Sequence, residues 1–273
     1  MSKADVYRIT DCLDEAALEA IAARMELRGR HGRFMAMLDE YLDAMALHPS
    51  ARVLDLGCGT GFVGRTVARR PGFAGQVLGL DRSPYLVDVA RRRAAEEGLS
   101  AWLQFDVGDA ASLPLADASV DAAIAHTLLS HVEEPLAVLR QVARVVRPGG
   151  VVGIFDGDYA SMTFGSADPG VGGRIEAAII GAIATSPRVM RDMPRLLHAA
   201  GLELQESFSH VMADIGRADF FAGTISSFVK LLPAAGAMTE AEAGAWAQEM
   251  AAFSERGTFF AAANFYSCVA RRP

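Results

Sequence analysis

A glycine-rich turn follows the apolar run Val53–Leu56 and contains Gly57, Gly59 and Gly61. Because glycine has no side chain, a ligand can approach the backbone of such a turn closely. A short strand that leads into this kind of turn and then into a helix is typical of sites for nucleotide-like cofactors. The turn therefore predicts a cofactor site without identifying the cofactor.

The same turn can be assigned in a second register. Gly59, Gly61 and Gly64 fit the G-x-G-x-x-G spacing of dinucleotide sites, and Asp81 lies 20 residues after Gly61. An acid at the end of the second strand can bind ribose hydroxyls. These residues alone are compatible with a nicotinamide-dependent oxidoreductase, but the chain has no Tyr-x-x-x-Lys pair or other hydride-transfer signature.

Four further blocks follow Asp55–Gly61 in order: Gly79–Ser83, Gly108–Ala110, Val120–Ile124 and Arg144–Gly150. Together the five blocks resemble class I S-adenosylmethionine (SAM)-dependent methyltransferases, most closely the small-molecule, methyltransferase type 11-like group related to quinone-biosynthesis C-methyltransferases. The resemblance spans roughly Val53 to Asp156. It implies an α/β fold with a Rossmann-like seven-stranded sheet and helices on both faces, SAM as cofactor and S-adenosylhomocysteine as product.

The resemblance also implies cofactor roles. The turn 57–61 passes beneath the methionine part of SAM, Asp55 orients its amino group, and Asp81 accepts hydrogen bonds from the ribose hydroxyls. Asp109 binds the adenine amino group, and His126 borders the methionine part; alternatively, Asp109 is a loop acid and His126 a polar residue at a strand end. The full implied set is Asp55, Gly57, Cys58, Gly59, Gly61, Asp81, Arg82, Asp109, Ala110 and His126. Arg28 or Arg33 could hold the SAM carboxylate, since a guanidinium matches a carboxylate, unless both are solvated surface residues.

Two histidines are the candidate catalytic residues. His126 and His131 lie five residues apart, just beyond the fourth predicted strand, where open α/β sheets place their ligand crevice. A sulfonium methyl group is already electrophilic, so the protein mainly holds a nucleophile in line and excludes water. Some acceptors lose a proton, which histidine can take near neutral pH. His131 ranks first as base or substrate-orienting group; packing or helix capping is its alternative role.

The acceptor site is less well defined by the sequence. Asp156, Asp158 and Tyr159 follow the fifth predicted strand, and Asp158 or Tyr159 could contact the acceptor or cap the next helix. Four residues of the predicted lid could line an apolar acceptor pocket or, alternatively, pack in the core: Met212, Phe220, Phe221 and Phe228.

Composition limits the partners. Apolar residues make up 51% of the 273-residue chain, and its net charge of −7 argues against a nucleic-acid footprint. Three cysteines without C-x-x-C spacing predict neither a disulfide framework nor a zinc site, and we find no metal-ligand motif. No run approaches the roughly 18 apolar residues of a membrane span. We therefore expect a cytoplasmic monomer or homodimer that acts on a small-molecule acceptor and uses no metal.

The order of elements predicts one structural domain with three parts. Residues 1–50 form an N-terminal helical cap, residues 51–156 the SAM-binding core, and residues 157–273 complete the sheet and add a helical substrate lid. Predicted strands are Val53–Leu56, Gln76–Leu80, Leu103–Val107, Ala122–Ala125, Val151–Asp156, Leu204–Val211 and Phe259–Ala270. Predicted helices are Leu13–Met25, Phe34–Leu47, Gly61–Arg70, Pro84–Glu97, Pro135–Val146, Gly172–Thr185, Met193–Ala200, Arg217–Leu232 and Thr239–Phe253.

Three functions fit these observations. The first is methyl transfer from SAM to O, N or C of a small, largely apolar metabolite. The second is a SAM-binding protein of the same fold that serves structure, regulation or other chemistry without methyl transfer. The third is the nicotinamide-dependent oxidoreductase, which only the G-x-G-x-x-G register and Asp81 favour.

Overall fold

Seven strands form one sheet in the computed structural model, which describes residue 5, residues 7–234 and residues 236–273. The strands are β1 (Arg52–Leu56), β2 (Gln76–Asp81), β3 (Leu103–Val107), β4 (Val120–His126), β5 (Val146–Phe164), β6 (Glu203–Gly216) and β7 (Phe259–Arg271). Their order is β3-β2-β1-β4-β5-β7-β6. The first five strands run parallel, and β7 is antiparallel to both β5 and β6. This sheet confirms the predicted fold class.

Nine helices surround the sheet in the described part of the chain: α1 (Glu15–Gly29), α2 (Gly32–Met45), α3 (Phe62–Ala68), α4 (Pro84–Glu96), α5 (Pro135–Val145), α6 (Pro169–Ile183), α7 (Val189–Ala199), α8 (Phe220–Ala234) and α9 (Glu240–Arg256). Local sequence explains their starts. The Ser83 side chain accepts a hydrogen bond from the Leu86 amide, and Pro84 occupies the first turn of α4. Thr239 and Glu242 form a reciprocal capping box at α9.

The sheet is buried on both faces. Val53 and Leu54 are neighbours in β1 and point to opposite faces, as alternate strand residues must. One face packs against α2 through Leu38 and Tyr41, and the other packs against α5 and α7. Burial on both sides explains why the central strands are short, nearly continuous apolar runs.

The antiparallel end of the sheet departs most from the sequence prediction. We predict the fifth strand to end at Asp156, but β5 continues to Phe164, which pairs with Ala261 of β7. The register shifts between Asp158 and Thr163, so part of this extension is irregular. Long-range pairing with β7 extends the strand beyond the region that local apolar patterning identifies.

The cap and the lid meet above the carboxyl ends of the parallel strands. Helix α1 contacts α3, α4 and α8, and α8 also packs on α9 and α6. In the chain, α8 and α9 lie between β6 and β7, at the position predicted for the lid. The division into cap, core and lid stays a prediction. The contacts of Met25 and Glu26 with the turn nevertheless place α1 beside it, and α8 packs against α1.

Candidate cofactor and acceptor site

The glycine-rich turn requires glycine for both conformation and space. Gly57, Gly59 and Gly61 have φ values of 68°, 51° and 75°, in the left-handed region that disfavours other residues. A Cβ atom on Gly57 would lie 2.8 Å from a Leu128 side-chain carbon, and one on Gly59 would lie 2.9 Å from the Met25 sulfur. These side chains therefore lie directly over the turn.

Asp81 joins the turn to the end of β2. Its Oδ2 accepts a hydrogen bond from the Gly59 amide at 2.8 Å, and its Oδ1 accepts one from the Ser83 amide at 2.9 Å. Burial raises the pKa of Asp81, while these amides and the nearby Arg82 act in the opposite direction. Each carboxylate oxygen has capacity for another hydrogen bond, so Asp81 can bind hydroxyl groups while it holds the turn.

Asp55 lies beneath the turn at the end of β1. It is 1% exposed, and its Oδ2 accepts a hydrogen bond from the Gly64 amide at 3.0 Å. Burial raises its pKa to about 7, and the negative charge of Asp81 adds to this rise. The carboxyl group therefore connects β1 to the first turn of α3 and is partly protonated near neutral pH.

A cavity of about 110 Å³ opens above the turn. Asp109 lies on its rim and accepts a hydrogen bond from the Ala111 amide at 2.9 Å. Six of the residues predicted for cofactor binding or catalysis line the cavity: Gly57, Asp81, Arg82, Asp109, Ala110 and His131. The other implied residues, Asp55, Cys58, Gly59, Gly61 and His126, are outside its lining. The Cys58 sulfur packs toward Gly79 in β2, and burial raises the pKa of this thiol.

His126 lies in an aromatic cluster behind the cavity. Its Nδ1 is 3.0 Å from the Tyr41 hydroxyl, and its ring stacks on Phe155 with centroids 4.5 Å apart. Burial lowers the pKa of His126 well below its ordinary value, and the positive charge of Arg28 lowers it further. Burial and the charge of Arg28 therefore both disfavour the protonated form of His126.

His131 has a carboxylate partner that sequence analysis does not identify. Its Nδ1 lies 2.9 Å from Oδ2 of Asp5, which is 3% exposed. Asp5 also accepts hydrogen bonds from the Thr185 amide at 3.0 Å and the Thr185 hydroxyl at 3.1 Å. Nothing local in the sequence marks Asp5 as a partner of His131, because His131 and Thr185 are far along the chain.

The two arginine candidates have different positions. Arg28 lines the cavity, and its Nη2 donates to the Thr127 hydroxyl at 3.0 Å. Thr127 has φ of 52°, an unusual conformation for a β-branched residue that often marks a functional position. Arg33 instead donates to the Ala213 carbonyl at 2.7 Å and pairs with Asp214, so it is held at β6.

The residues after β4 and within β5 are tied to structural partners. Oδ2 of Asp156 accepts a hydrogen bond from the Ser130 amide at 2.9 Å, and Asp158 pairs with Arg191 at 2.8 Å. Tyr159 is buried 6.1 Å from the His131 ring. Burial, followed by the charge of Asp156, raises the pKa of Tyr159.

A second pocket of about 250 Å³ lies between α1 and α8. Of the four predicted lid residues, Phe220 lines this pocket, whereas Met212, Phe221 and Phe228 are buried in the core. Arg28 borders both this pocket and the cavity above the turn. The two spaces therefore adjoin at Arg28.

Within residue 5, residues 7–234 and residues 236–273, no three His, Cys, Asp or Glu side chains are grouped as a metal site. No helix there combines the length and apolar character needed to traverse a bilayer.

The sheet order and the turn agree with the Rossmann-like α/β fold that the sequence resemblance implies. Residues 54–154 match the family model described as a methyltransferase domain. This match confirms the resemblance to class I SAM-dependent methyltransferases.

Three curated relatives are similar to parts of the chain. An uncharacterized 37.1 kDa protein in transposon TN4556 of Streptomyces fradiae is 32% identical over 84% of this chain and 65% of its own length. Methyltransferase GfsG of Streptomyces halstedii is 36% identical over 64% of this chain and 59% of its own length. A 2-phytyl-1,4-naphtoquinone methyltransferase of Synechococcus elongatus is 40% identical over 41% of this chain and 48% of its own length. The chain thus spans between 48% and 65% of these relatives.

Solved structures share the fold across most of the chain. The [4+2]-cyclase SpnF has a TM-score of 0.59 and 24% identity, over 90% of this chain and 85% of its own. A geranyl diphosphate methyltransferase in complex with SAM has a TM-score of 0.54 and 18% identity, over 87% of this chain and 85% of its own. At these identities the likeness concerns the fold alone.

Proposed function

We propose that the protein transfers a methyl group from SAM to O, N or C of a small, largely apolar metabolite. One observation carries the proposal: the Asp81 carboxylate holds the glycine-rich turn through Gly59 and also lines the cavity that Asp109 and Arg28 border. The cavity thus presents an acid for ribose hydroxyls, an acid for an adenine amino group and a guanidinium for a carboxylate.

The donor set fits SAM, but the cavity is too small for it. Pockets that enclose organic ligands have volumes of about 300 Å³ or more, compared with about 110 Å³ here. The side chains of Met25 and Leu128 lie over the turn, and both can change rotamer. We propose that binding moves these side chains and shifts α1 away from the turn.

Within the proposed reaction, the chain's residues position groups, exclude water and hold a proton. SAM supplies an electrophilic methyl group on its sulfonium. Asp109 and Arg28 hold the adenine and the carboxylate at the two ends of the cofactor, Asp81 holds the ribose between them, and α1 and α8 shield the site. His131 takes the proton that some acceptors lose: Nδ1 donates to Asp5, which leaves Nε2 to accept a proton.

The second candidate is a protein that binds SAM without transferring its methyl group. The fold does not determine the reaction, because SpnF is described as a [4+2]-cyclase. Under either proposal we expect a cytoplasmic monomer or homodimer that acts on small molecules.

Thermal unfolding with added ligands tests cofactor choice. Saturating SAM and S-adenosylhomocysteine should each raise the melting temperature, because a ligand that binds only the folded state stabilises it. NADH is the competitor that the G-x-G-x-x-G register would favour. A rise with NADH alone would overturn the SAM assignment.

A labelling experiment then separates the two SAM-dependent proposals. The protein is incubated with methyl-labelled SAM and fractionated small-molecule extracts, and labelled products are identified by mass spectrometry. A labelled metabolite supports methyl transfer. SAM binding without any labelled product across suitable acceptors would favour the second candidate.

A further inference from the structure

Two half-buried arginines lie on one face of α1. Arg24 and Arg28 are one turn apart, and both line the pocket between α1 and α8. In the described part of the chain, no carboxylate forms an ion pair with either guanidinium. By contrast, Arg30 of the same pocket pairs with Glu26.

The surroundings of Arg24 are aromatic. Its Nη1 donates to the Tyr7 hydroxyl, and its guanidinium lies 5.2 Å from the centroid of the Phe228 ring. Arg28 lies similarly over Phe34, at 5.1 Å. Aromatic faces stabilise a cation, but they compensate only partly for the loss of water around it. Because arginine stays charged, the two side chains leave positive charge that an anion can neutralise.

Leu27, Phe220 and Gly223 form the apolar part of the pocket between α1 and α8, and its polar lining adds Arg30, His31, Asp219 and Thr224. The Asp219 carboxylate contacts Arg33 and His31 rather than Arg24 or Arg28. The cationic end of the pocket lies near the proposed catalytic histidine, because Arg24 donates to the Tyr7 hydroxyl and the Tyr7 ring packs on the His131 ring with centroids 4.8 Å apart. A ligand in this pocket would therefore place its polar end toward His131.

The two arginines differ in access to the cofactor cavity. Arg28 lines both spaces, whereas Arg24 lines only the pocket between α1 and α8. SAM carries one carboxylate, which Arg28 takes under the proposed function. Arg24 then remains for a second anion.

We infer that the methyl acceptor is an apolar molecule with an oxyanion, such as a carboxylate or an ionised phenol, and that it binds between α1 and α8 with its anion on Arg24. This inference rests on the proposed function for the role of Arg28. It narrows the acceptor class from apolar metabolites in general to apolar acids. A guanidinium binds such an oxyanion through charge-assisted hydrogen bonds.

Calorimetric titration of the protein saturated with S-adenosylhomocysteine tests this inference. The probes are naphthoate and its neutral isostere naphthamide, which match in shape and differ in charge. Naphthoate should bind more tightly than naphthamide. Arg24→Gln should weaken naphthoate roughly ten- to a hundredfold, the value of a charge-assisted hydrogen bond, and leave naphthamide unchanged.

Two further variants separate charge from packing. Arg24→Lys keeps the cation without the planar fork and should restore part of the naphthoate affinity. Arg195→Gln removes an exposed arginine on α7 that pairs with Asp192 and should change neither affinity. The inference is overturned if the two probes bind equally, if neither binds, or if Arg24→Gln weakens both alike. Titration with S-adenosylhomocysteine alone tests the cofactor proposal separately, so failure of one is distinguishable from failure of the other.

Discussion

His131 and Asp5 form a buried pair, with Nδ1 and Oδ2 2.9 Å apart, although 126 residues separate them in the chain. The histidine lines the cofactor cavity, and Tyr7, two residues after Asp5, packs on its ring at 4.8 Å. Tyr7 therefore lines the cavity beside His131, and Asp5 orients the histidine. A carboxylate on one imidazole nitrogen fixes the tautomer, which determines the nitrogen that can accept a proton.

Asp5→Asn should impair turnover more than cofactor binding. The amide can no longer hold the Nδ1 proton as a carboxylate does, so we expect kcat to fall about 10- to 100-fold, as for other groups that orient a functional histidine. Affinity for SAM should change by less than about threefold, because Asp5 is outside the cavity lining. Steady-state kinetics with the labelled acceptor and calorimetry with SAM measure the two effects.

Thr185→Ala provides a matched control for that variant. It removes one hydroxyl donor to Asp5 and keeps the backbone amide donor, so the carboxylate and its contact with His131 remain. We expect a small loss of turnover. If Asp5→Asn weakened SAM binding as much as it lowered kcat, Asp5 would serve mainly to hold the segment in place.

Local patterning could predict most of the elements around this pair. The strands at 53–56, 76–80 and 103–107 match the structure to within one residue at each end, because each is an apolar run bounded by turn residues. Local patterning could not predict the extension of β5 to Phe164, because this extension depends on pairing with Ala261 far along the chain. Local pattern locates a strand, and tertiary pairing sets its length.

The candidate site shows the same division. The turn, Asp81 and Asp109 could be predicted because each lies at the end of a strand or within a few residues after it. Asp5 could not, since its contacts with His131 and Thr185 are tertiary. Sequence likewise could not separate Arg28 from Arg33, because the distinction depends on Asp214, which holds Arg33 away from the cavity.

Asp81→Ala should weaken SAM binding roughly 10- to 100-fold. The variant removes the carboxylate that we propose binds the ribose hydroxyls, and a hydrogen bond to a charged group contributes about 1.5–3 kcal/mol. It also releases the Gly59 amide of the turn. Calorimetry measures the dissociation constant, and Asp88→Asn on the exposed face of α4 is the control. Unchanged affinity in Asp81→Ala would refute the ribose assignment.

Asp55 should make stability depend on pH. Its pKa is raised to about 7 in the folded protein, mainly by burial, against about 3.9 in an unfolded chain. Between these values the folded state retains a proton that the unfolded state has lost, so this group's contribution to the free energy of unfolding falls as pH rises from about 4 to about 7. Above that window its contribution should be constant.

Asp55→Asn isolates this effect. The amide oxygen can still accept the hydrogen bond from the Gly64 amide, but the side chain cannot ionise. Relative to the parent protein, the variant should gain stability across the window by up to a few kcal/mol. Urea unfolding at a series of pH values gives the difference. A difference independent of pH would mean that Asp55 ionises in the folded state as it does in the unfolded chain.

Glu26 should couple the stability of the cap to the glycine-rich turn. Its carboxylate accepts hydrogen bonds from Arg65 at 2.8 and 2.9 Å and from the Thr60 hydroxyl at 2.7 Å. Arg65 is 1% exposed, and it retains a contact with Glu97 when Glu26 is neutralised. Glu26→Gln should therefore destabilise the protein by about 3 kcal/mol, the lower end of the range for breaking a buried ion pair.

The pH dependence of this loss distinguishes the ion pair from packing alone. Burial by itself raises the pKa of Glu26, but the hydrogen bonds from Arg65 and Thr60 and the charge of Arg65 outweigh it, so the pKa is lowered. A lowered carboxyl pKa contributes stability that is fully present above the unfolded value of about 4.3 and is lost as pH falls through the folded value. In urea unfolding, the gap between Glu26→Gln and the parent should shrink below about pH 4, while Glu19→Gln, an exposed acid on α1, should show no gap. A gap that stays constant through this range would assign the loss to packing, because the charge on Glu26 would then contribute nothing to the attachment of α1.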